Sequence, residues 1–470
     1  MPASERLFPH RLGLALLVAV AVALKVALLL SSQSIADGDE AVTGLMAKHV
    51  LERGEHAVYP YGVQYGAGAG VESHLAALLF AVFGVSDLAL KAAGLIVWLA
   101  TLGLVGLTAA RMAGAWAGAS AALLYGFAPQ GAEWSLKVAG GHGVAVLLAV
   151  AAVALIEWGA PPFAAAALLP LAAVAHPIVA PFCVVLAAYL LWRSRGATGR
   201  ALTALSLVAV GGALWIALRP PATGVWNPAA AGFDARGLAA SLPAVLDGAF
   251  AANLNARVLP PLLQLLVSIG WLAALVAMAV RSGGPRRRWL YLLAPLGVLV
   301  LVDATQLAPR HLLLLYPLGC VVLAAGLSEL PRRGTLLAAL VLAGAVVQVQ
   351  VMFDPAVHGP DPQDRGLLRA NLEEVLGALD AHGIAYVYCL DPMFQWNLVW
   401  ASRERIAARW TDPVDRLPEL PARVDAARRA GLRVALVERA SPDSLRFVVR
   451  PLPAAAQLAA VFPPAPDESR

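Results

Sequence analysis

The sequence predicts an all-α polytopic membrane domain of about 11 transmembrane helices, with interfacial helices on its outer face, followed by a small C-terminal α/β soluble domain. Three observations predict it. Of 470 residues, 60% are hydrophobic and only 14% charged, against about 25% charged in an ordinary soluble domain. Apolar runs recur along the first three-quarters of the chain, separated by short loops rich in arginine. From about Met352 the composition changes to mixed polar segments with alternating helix and strand patterns.

The apolar runs lie near 12–31, 88–110, 116–127, 144–158, 163–174, 178–191, 201–218, 261–280, 290–302, 311–327 and 335–351. The first is long enough to span about 30 Å of hydrocarbon and is read as a span, not a cleavable leader. Loop charge sets the orientation. With eleven spans, "WRSRGATGR" (192–200), "RSGGPRRRW" (281–289) and "PRRG" (331–334) fall on the cytoplasmic side together with Arg6, Arg11 and Arg111. The opposite face then receives residues 33–87, the "PQGAEWSLKVAGGHG" turn, the 219–259 loop, the turn around Arg310 and everything after residue 352. One apolar stretch, "ESHLAALLFAVFG" (72–84), is too short to span comfortably. Counting it would also invert the basic loops, so it is expected to be an interfacial helix on the outer face.

The expected domains are a membrane domain over 1–352, a Pro/Asp/Gly linker over 353–365, an α/β module over 366–450 and a Pro/Ala-rich, partly disordered tail over 451–470. "LLRANLEEVLGALDAHG" has helical spacing and ends on Gly383, a C-cap residue. "IAYVYCL" reads as a buried strand, "PMFQWNLVWAS" as a helix and "RERIAARW" as a short strand; the helix "PARVDAARRAG" then leads into the strand "LRVALVE". That alternation is the pattern of a small α/β unit.

Several function classes are set aside by the same pass. Cys183, Cys320 and Cys389 have neither zinc spacing nor a disulfide framework. The net charge of +5 sits in interhelical loops, so no nucleic-acid partner is called for. The alternating glycines of "YGAGAG" follow no strand and make no dinucleotide fingerprint. His176 precedes Pro177 in a turn and reads as structural.

The chemistry-bearing stretch is "DGDEAVTGLMAKH", which opens at Asp37 just beyond the first apolar run. Asp37 and Glu40 have the spacing of a capping box. Val42, Leu45, Met46 and Val50 share one face, so the helix that follows is expected to lie flat on the outer leaflet. Capping accounts for two of the three carboxylates and leaves Asp39 without a structural task. Lysine is scarce: Lys25, Lys48, Lys91 and Lys137 are the only four among 35 basic residues. Lysine is a compact charge suited to phosphate. Lys25, inside the first run, is expected to snorkel to the outer interface.

The stretch from Asp37 through "YPYGVQYG" to "VSDLALKAAG" resembles the first outer loop of bacterial membrane glycosyltransferases of the C-type fold. That superfamily includes the protein O-mannosyltransferases and the lipid A aminoarabinose transferase. Asp39-Glu40 match its Asp-Glu pair; "YPYGVQYG" with Glu72, "WSLKVAGGHG" and "PRHLLLLYP" resemble segments of one of its uncharacterised branches. The resemblance covers roughly residues 10–350, and the C-terminal module looks like an extension in the same branch.

The resemblance implies a multi-pass enzyme of the bacterial inner membrane with its site and C-terminal domain extracytoplasmic. It would move a sugar, with inversion, from a polyprenyl-phosphate donor to the hydroxyl of a lipid, glycan or protein acceptor. Such transfer needs a base, for which Asp39 is the candidate, with Glu40 beside it. The departing phosphate needs positive charge, from basic side chains or a divalent cation. Lys137 and His142 in one turn, and Arg310 and His311 in another, are the candidates, with Glu72, Tyr61 and Tyr65 lining the substrate path. Two other classes remain open: a lipid or solute transporter or flippase, which would place ionisable groups deep in several spans, and a non-catalytic envelope assembly factor acting through its tail.

Overall fold

The computed structural model describes residues 3–30, 36–58, 68–129, 131–218, a few positions between 269 and 295, 312–353, 365–411, 417–441 and most of 444–463. In chain order the helices are α1 (Ala3–Leu29), α2 (Gly38–Arg53), α3 (Gly70–Phe83), α4 (Asp87–Ala113), α5 (Ala115–Gly126), α6 (Gly131–Trp134), α7 (His142–Trp158), α8 (Pro162–Ala166), α9 (Leu168–Ala175), α10 (Ala180–Arg193) and α11 (Ala197–Leu218). They continue with α12 (Leu315–Leu327) and α13 (Arg333–Phe353). The C-terminal unit runs α14 (Arg365–Ala381), β1 (Tyr386–Cys389), α15 (Pro392–Ala401), β2 (Ala407–Arg409), α16 (Glu419–Arg429), β3 (Val434–Arg439) and β4 (Phe447–Arg450).

Among the described residues, α4 is the one helix both long and apolar enough to cross a membrane. Its 27 residues span about 40 Å at the α-helical rise. It starts where Ser86 accepts the Ala89 N–H and stops at Gly114, whose φ is +88°. α5, α7, α10, α11 and α13 match their runs or exceed them by a few residues, and α12 is shorter than its run. The run at 163–174 is two helices, α8 and α9, joined at Ala167. Pro170 has no N–H to offer the carbonyl of Ala166, and its ring crowds that carbonyl. Most of the expected spans at 261–280 and 290–302 lie outside the described residues, so a count of eleven crossings stays an expectation from the sequence.

Two apolar cores organise the chain. One fills the bundle: α4 packs on α5 and α7 around Trp98, Leu102, Tyr125, Val150 and Val153, and α12 adds Leu318 and Val322. The other is shared by α2, α3 and the C-terminal unit, with Leu45, Phe80, Leu90, Phe394, Trp400 and Val437 in one cluster. The C-terminal sheet has the order β2-β1-β3-β4. β1 pairs in parallel with β2 and β3, and β4 closes the edge antiparallel to β3. The tail contributes to this core. Phe462 packs edge-on against Tyr388, and Leu458 is buried. Arg409, fully buried, donates to Asp425 at 2.6 Å and to the Pro463 carbonyl at 2.8 Å. Leu458 and Phe462 recur four residues apart inside the Pro/Ala-rich stretch, and the core of the C-terminal unit receives them.

Candidate functional site

The acidic run forms the capping box its spacing predicts. Asp37 accepts the Glu40 N–H at 3.0 Å, and the Glu40 side chain accepts the Asp37 N–H at 3.1 Å. Both carboxylates do more than cap. Glu40 is fully buried and receives the Lys91 ammonium from α4 at 2.6 Å and the Val138 N–H at 3.0 Å. Asp37 meets the Lys137 ammonium at 2.9 Å. The start of α2, the body of α4 and the loop after α6 therefore converge on one charged node. Burial alone would raise the Asp37 carboxyl; the ammoniums of Lys137 and Lys91 and the Glu40 N–H outweigh it and hold Asp37 well below the usual carboxylate range.

Asp39 sits in the first turn of α2, half-buried, and its carbonyl accepts the Thr43 hydroxyl at 3.4 Å. It has no part in the capping box. Glu40, expected beside it among the catalytic residues, is engaged on both oxygens and shut off from solvent.

Glu72 is also buried, and it caps a helix from a distance. α7 begins after Gly141, which has no side chain to cap with. Glu72, on α3, accepts the Gly141 N–H at 3.1 Å. Burial pushes its carboxyl up to about 7, against the opposing pull of the Gly141, Val144 and Gly143 N–H groups. Gly141 has φ +79°, and a Cβ there would stand 2.2 Å from the Ala175 carbonyl, so the turn closes only on glycine.

A cleft opens beside this node. Val97, Trp98, Tyr125 and Trp134 give it apolar and aromatic walls, and Lys137 and His142 supply its charge and hydrogen-bonding groups. His142 places Nδ1 at 2.8 Å from the Ala139 carbonyl. Its ring lies 3.7 Å from that of His176 and 5.2 Å from that of Trp134. His176 Nδ1 accepts the Ile178 N–H at 3.1 Å. It was expected to be a structural turn residue, and the turn is real, but the fold brings it against a site residue 34 positions earlier in the chain. Nothing in the local spacing signals that.

Of the other predicted residues, Arg310, His311, Tyr61 and Tyr65 lie outside the described residues. Among the described residues no three His, Cys, Asp or Glu side chains converge as metal ligands. Asp37, Glu40 and Glu72 are each already engaged by ammonium or N–H donors. A divalent cation at these three carboxylates would have to displace those donors.

Two expectations about environment are corrected. α2 does not lie open on a leaflet: every residue from Glu40 to His49 is buried, because α15 and the C-terminal unit cover the face that sequence alone would give to lipid. α3, by contrast, keeps Leu78, Val82 and Phe83 exposed, as an interfacial helix should. Lys25 does not snorkel. It is fully buried, with its ammonium 5.6 Å from the centre of the Trp98 ring.

No protein-family model matches the chain, and no curated protein matches its sequence. Solved structures do match. The structure of ArnT from Cupriavidus metallidurans bound to undecaprenyl phosphate aligns over 92% of this chain and 97% of its own, with a TM-score of 0.60 at 16% identity. The oligosaccharyltransferase of Archaeoglobus fulgidus in complex with zinc and sulfate aligns over 90% of this chain and 68% of its own, with a TM-score of 0.48 at 13% identity. Identity this low speaks for architecture alone.

Proposed function

We propose that this chain, which has the fold of the C-type membrane glycosyltransferases, transfers a sugar from a polyprenyl-phosphate donor to an acceptor hydroxyl at the extracytoplasmic membrane surface, with inversion. What carries the proposal is the charged node beside an apolar, aromatic-walled cleft: Lys137 lines the cleft and is tied to Asp37 at 2.9 Å, two residues before Asp39. An isoprenoid chain suits the apolar walls, and its phosphate suits an ammonium at the mouth. The architectural likeness to ArnT, whose structure contains undecaprenyl phosphate, supports the same donor class.

In this proposal Asp39 takes the proton of the acceptor hydroxyl as the new glycosidic bond forms, and the sugar–phosphate bond breaks with its electrons going to the phosphate. Glu40 and Lys91 hold the first turn of α2 so that Asp39 keeps its place. Lys137 and His142 face the departing phosphate, and Arg310 and His311, which lie outside the described residues, are assigned the same task from the sequence. Glu72, Tyr61 and Tyr65 shape the path to the site.

Asp39→Asn keeps the shape and removes the proton acceptor. Transfer from a polyprenyl-phosphate sugar to its acceptor should fall about 10²-fold or more, with membrane insertion and thermal stability unchanged. Near-normal transfer by this variant would return Asp39 to the helix surface and remove it from the chemistry.

A further inference from the structure

Three of the four lysines have carboxylate partners. Lys91 meets Glu40, Lys137 meets Asp37 and Lys48 meets Glu404. Each of those charges is balanced where it stands. Lys25 is the exception. Its side chain is fully buried in α1, and its ammonium makes no hydrogen bond. An ammonium taken out of water without a counter-charge costs several kcal/mol, so Lys25 holds its charge there only when an anion stands beside it.

The surroundings say where that anion would come from. Lys25 Nζ lies beside the Trp98 ring, and Trp98 lines the cleft. The indole N–H of Trp98 is a second buried donor without a partner. Gly131, which also lines the cleft, would bring a Cβ to 3.4 Å from Lys25 Nζ and 3.1 Å from Gln348 Nε2. Glycine therefore leaves the ammonium within reach of the cleft where any side chain would wall it off. Gln348 spends its amide N–H on the Ala128 carbonyl at 2.8 Å and offers Lys25 no charge.

We propose that Lys25, with the Trp98 indole N–H beside it, binds an oxyanion of a phosphate group that enters the cleft between Trp98 and Gly131. Lys137 is paired in place with Asp37, whereas Lys25, behind Trp98 and Gly131, has no carboxylate partner among the described residues and is the amine an incoming anion would pair with. The assignment of that phosphate to a polyprenyl lipid rests on the transferase proposal above; the anion site itself does not.

The test uses the purified full-length protein, with thermal unfolding and equilibrium binding measured against inorganic phosphate and against polyprenyl phosphate in detergent. Lys25→Met keeps the length of the side chain and removes its charge. Without ligand it should melt at or above the wild-type midpoint, since a buried amine without a hydrogen-bond partner has been lost. It should bind polyprenyl phosphate at least about 10-fold more weakly. Trp98→Phe keeps the ring, loses the N–H and should weaken binding by a smaller factor, about 3-fold. If Lys25→Met folds poorly, Lys25→Arg and Trp98→Phe carry the comparison. Lys25-dependent binding of inorganic phosphate, with no added affinity for the lipid, would uphold the anion site and count against the transferase proposal. Equal binding of polyprenyl phosphate by wild type and Lys25→Met, or no binding of either phosphate by the wild type, would overturn the anion site.

Discussion

Glu72 reaches across from α3 to the N-terminus of α7 and serves as a cap that Gly141 cannot provide. Its carboxyl titrates near 7 because burial outweighs three backbone donors, which fixes the sign of a pH effect. Between the ordinary glutamate range and about 7 the folded state holds a proton that the unfolded state has released. Stability should therefore be highest below the ordinary glutamate pKa and fall as pH rises toward 7, then level off. Glu72→Gln keeps a carbonyl oxygen for the Gly141 N–H and should flatten this component of the midpoint-versus-pH curve. Unfolding midpoints taken from pH 4.5 to 8 check it; an unchanged slope in the variant would mean that Glu72 does not titrate there. At this scale the sequence was partly readable. Asp37 and Glu40 announce a capping box because both halves lie within one helical turn. Their lysines do not, because Lys91 comes from 51 residues away and the Val138 N–H from 98. The same distance hid His176 from His142 and left Lys25 looking like an interfacial anchor.

At the scale of elements, α2 is held at both ends. Its start is fixed by the node, and its C-terminal half is clamped by the C-terminal unit. Glu404 reaches Lys48, His49 at 2.8 Å and Arg53 at 3.2 Å. Asn397 on α15 donates to the Ala36 carbonyl at 2.7 Å, one residue before the cap, and Trp400 donates to Asp87 at 2.6 Å. Arg403 and Glu404 both take positive φ, 54° and 64°, a conformation that non-glycine residues keep only where their surroundings hold them. Hydrogen bonds from His49 and Lys48 hold the Glu404 carboxyl down to about 2 against the upward push of burial. Glu404→Gln should destabilise the protein by about 1–3 kcal/mol, read as a lower unfolding midpoint at neutral pH, and should lower transfer without altering which donor is used. A variant as stable as the wild type would show that this clamp contributes nothing to holding α2. The C-terminal helices and three of its strands follow from their periodicity and caps: Gly383 has the left-handed φ of 62° expected at the end of α14. β4 was missed because "FVVR" is a four-residue edge strand, too short for alternation to stand out, and α2 was misplaced because its covering partner lies some 350 residues downstream.

For the whole molecule, the helical bundle holds the cleft, and α2, α3 and the C-terminal sheet unit share a second core joined to it through the Asp37–Lys137 and Glu40–Lys91 pairs. Hydropathy read out the helices of the bundle because each is a continuous apolar run. It could not read out the cleft, which is assembled from α4, the α5–α7 connection and the segment at Leu313. The central claim is that this cleft receives the phosphate of a polyprenyl donor next to the start of α2. The most direct measurement is an experimental map of the full-length protein with polyprenyl phosphate bound. The phosphate should stand inside the cleft, within hydrogen-bonding reach of Lys137, His142 or the Lys25–Trp98 pair. Density for the phosphate at any other surface, with the cleft left to solvent, would contradict the account.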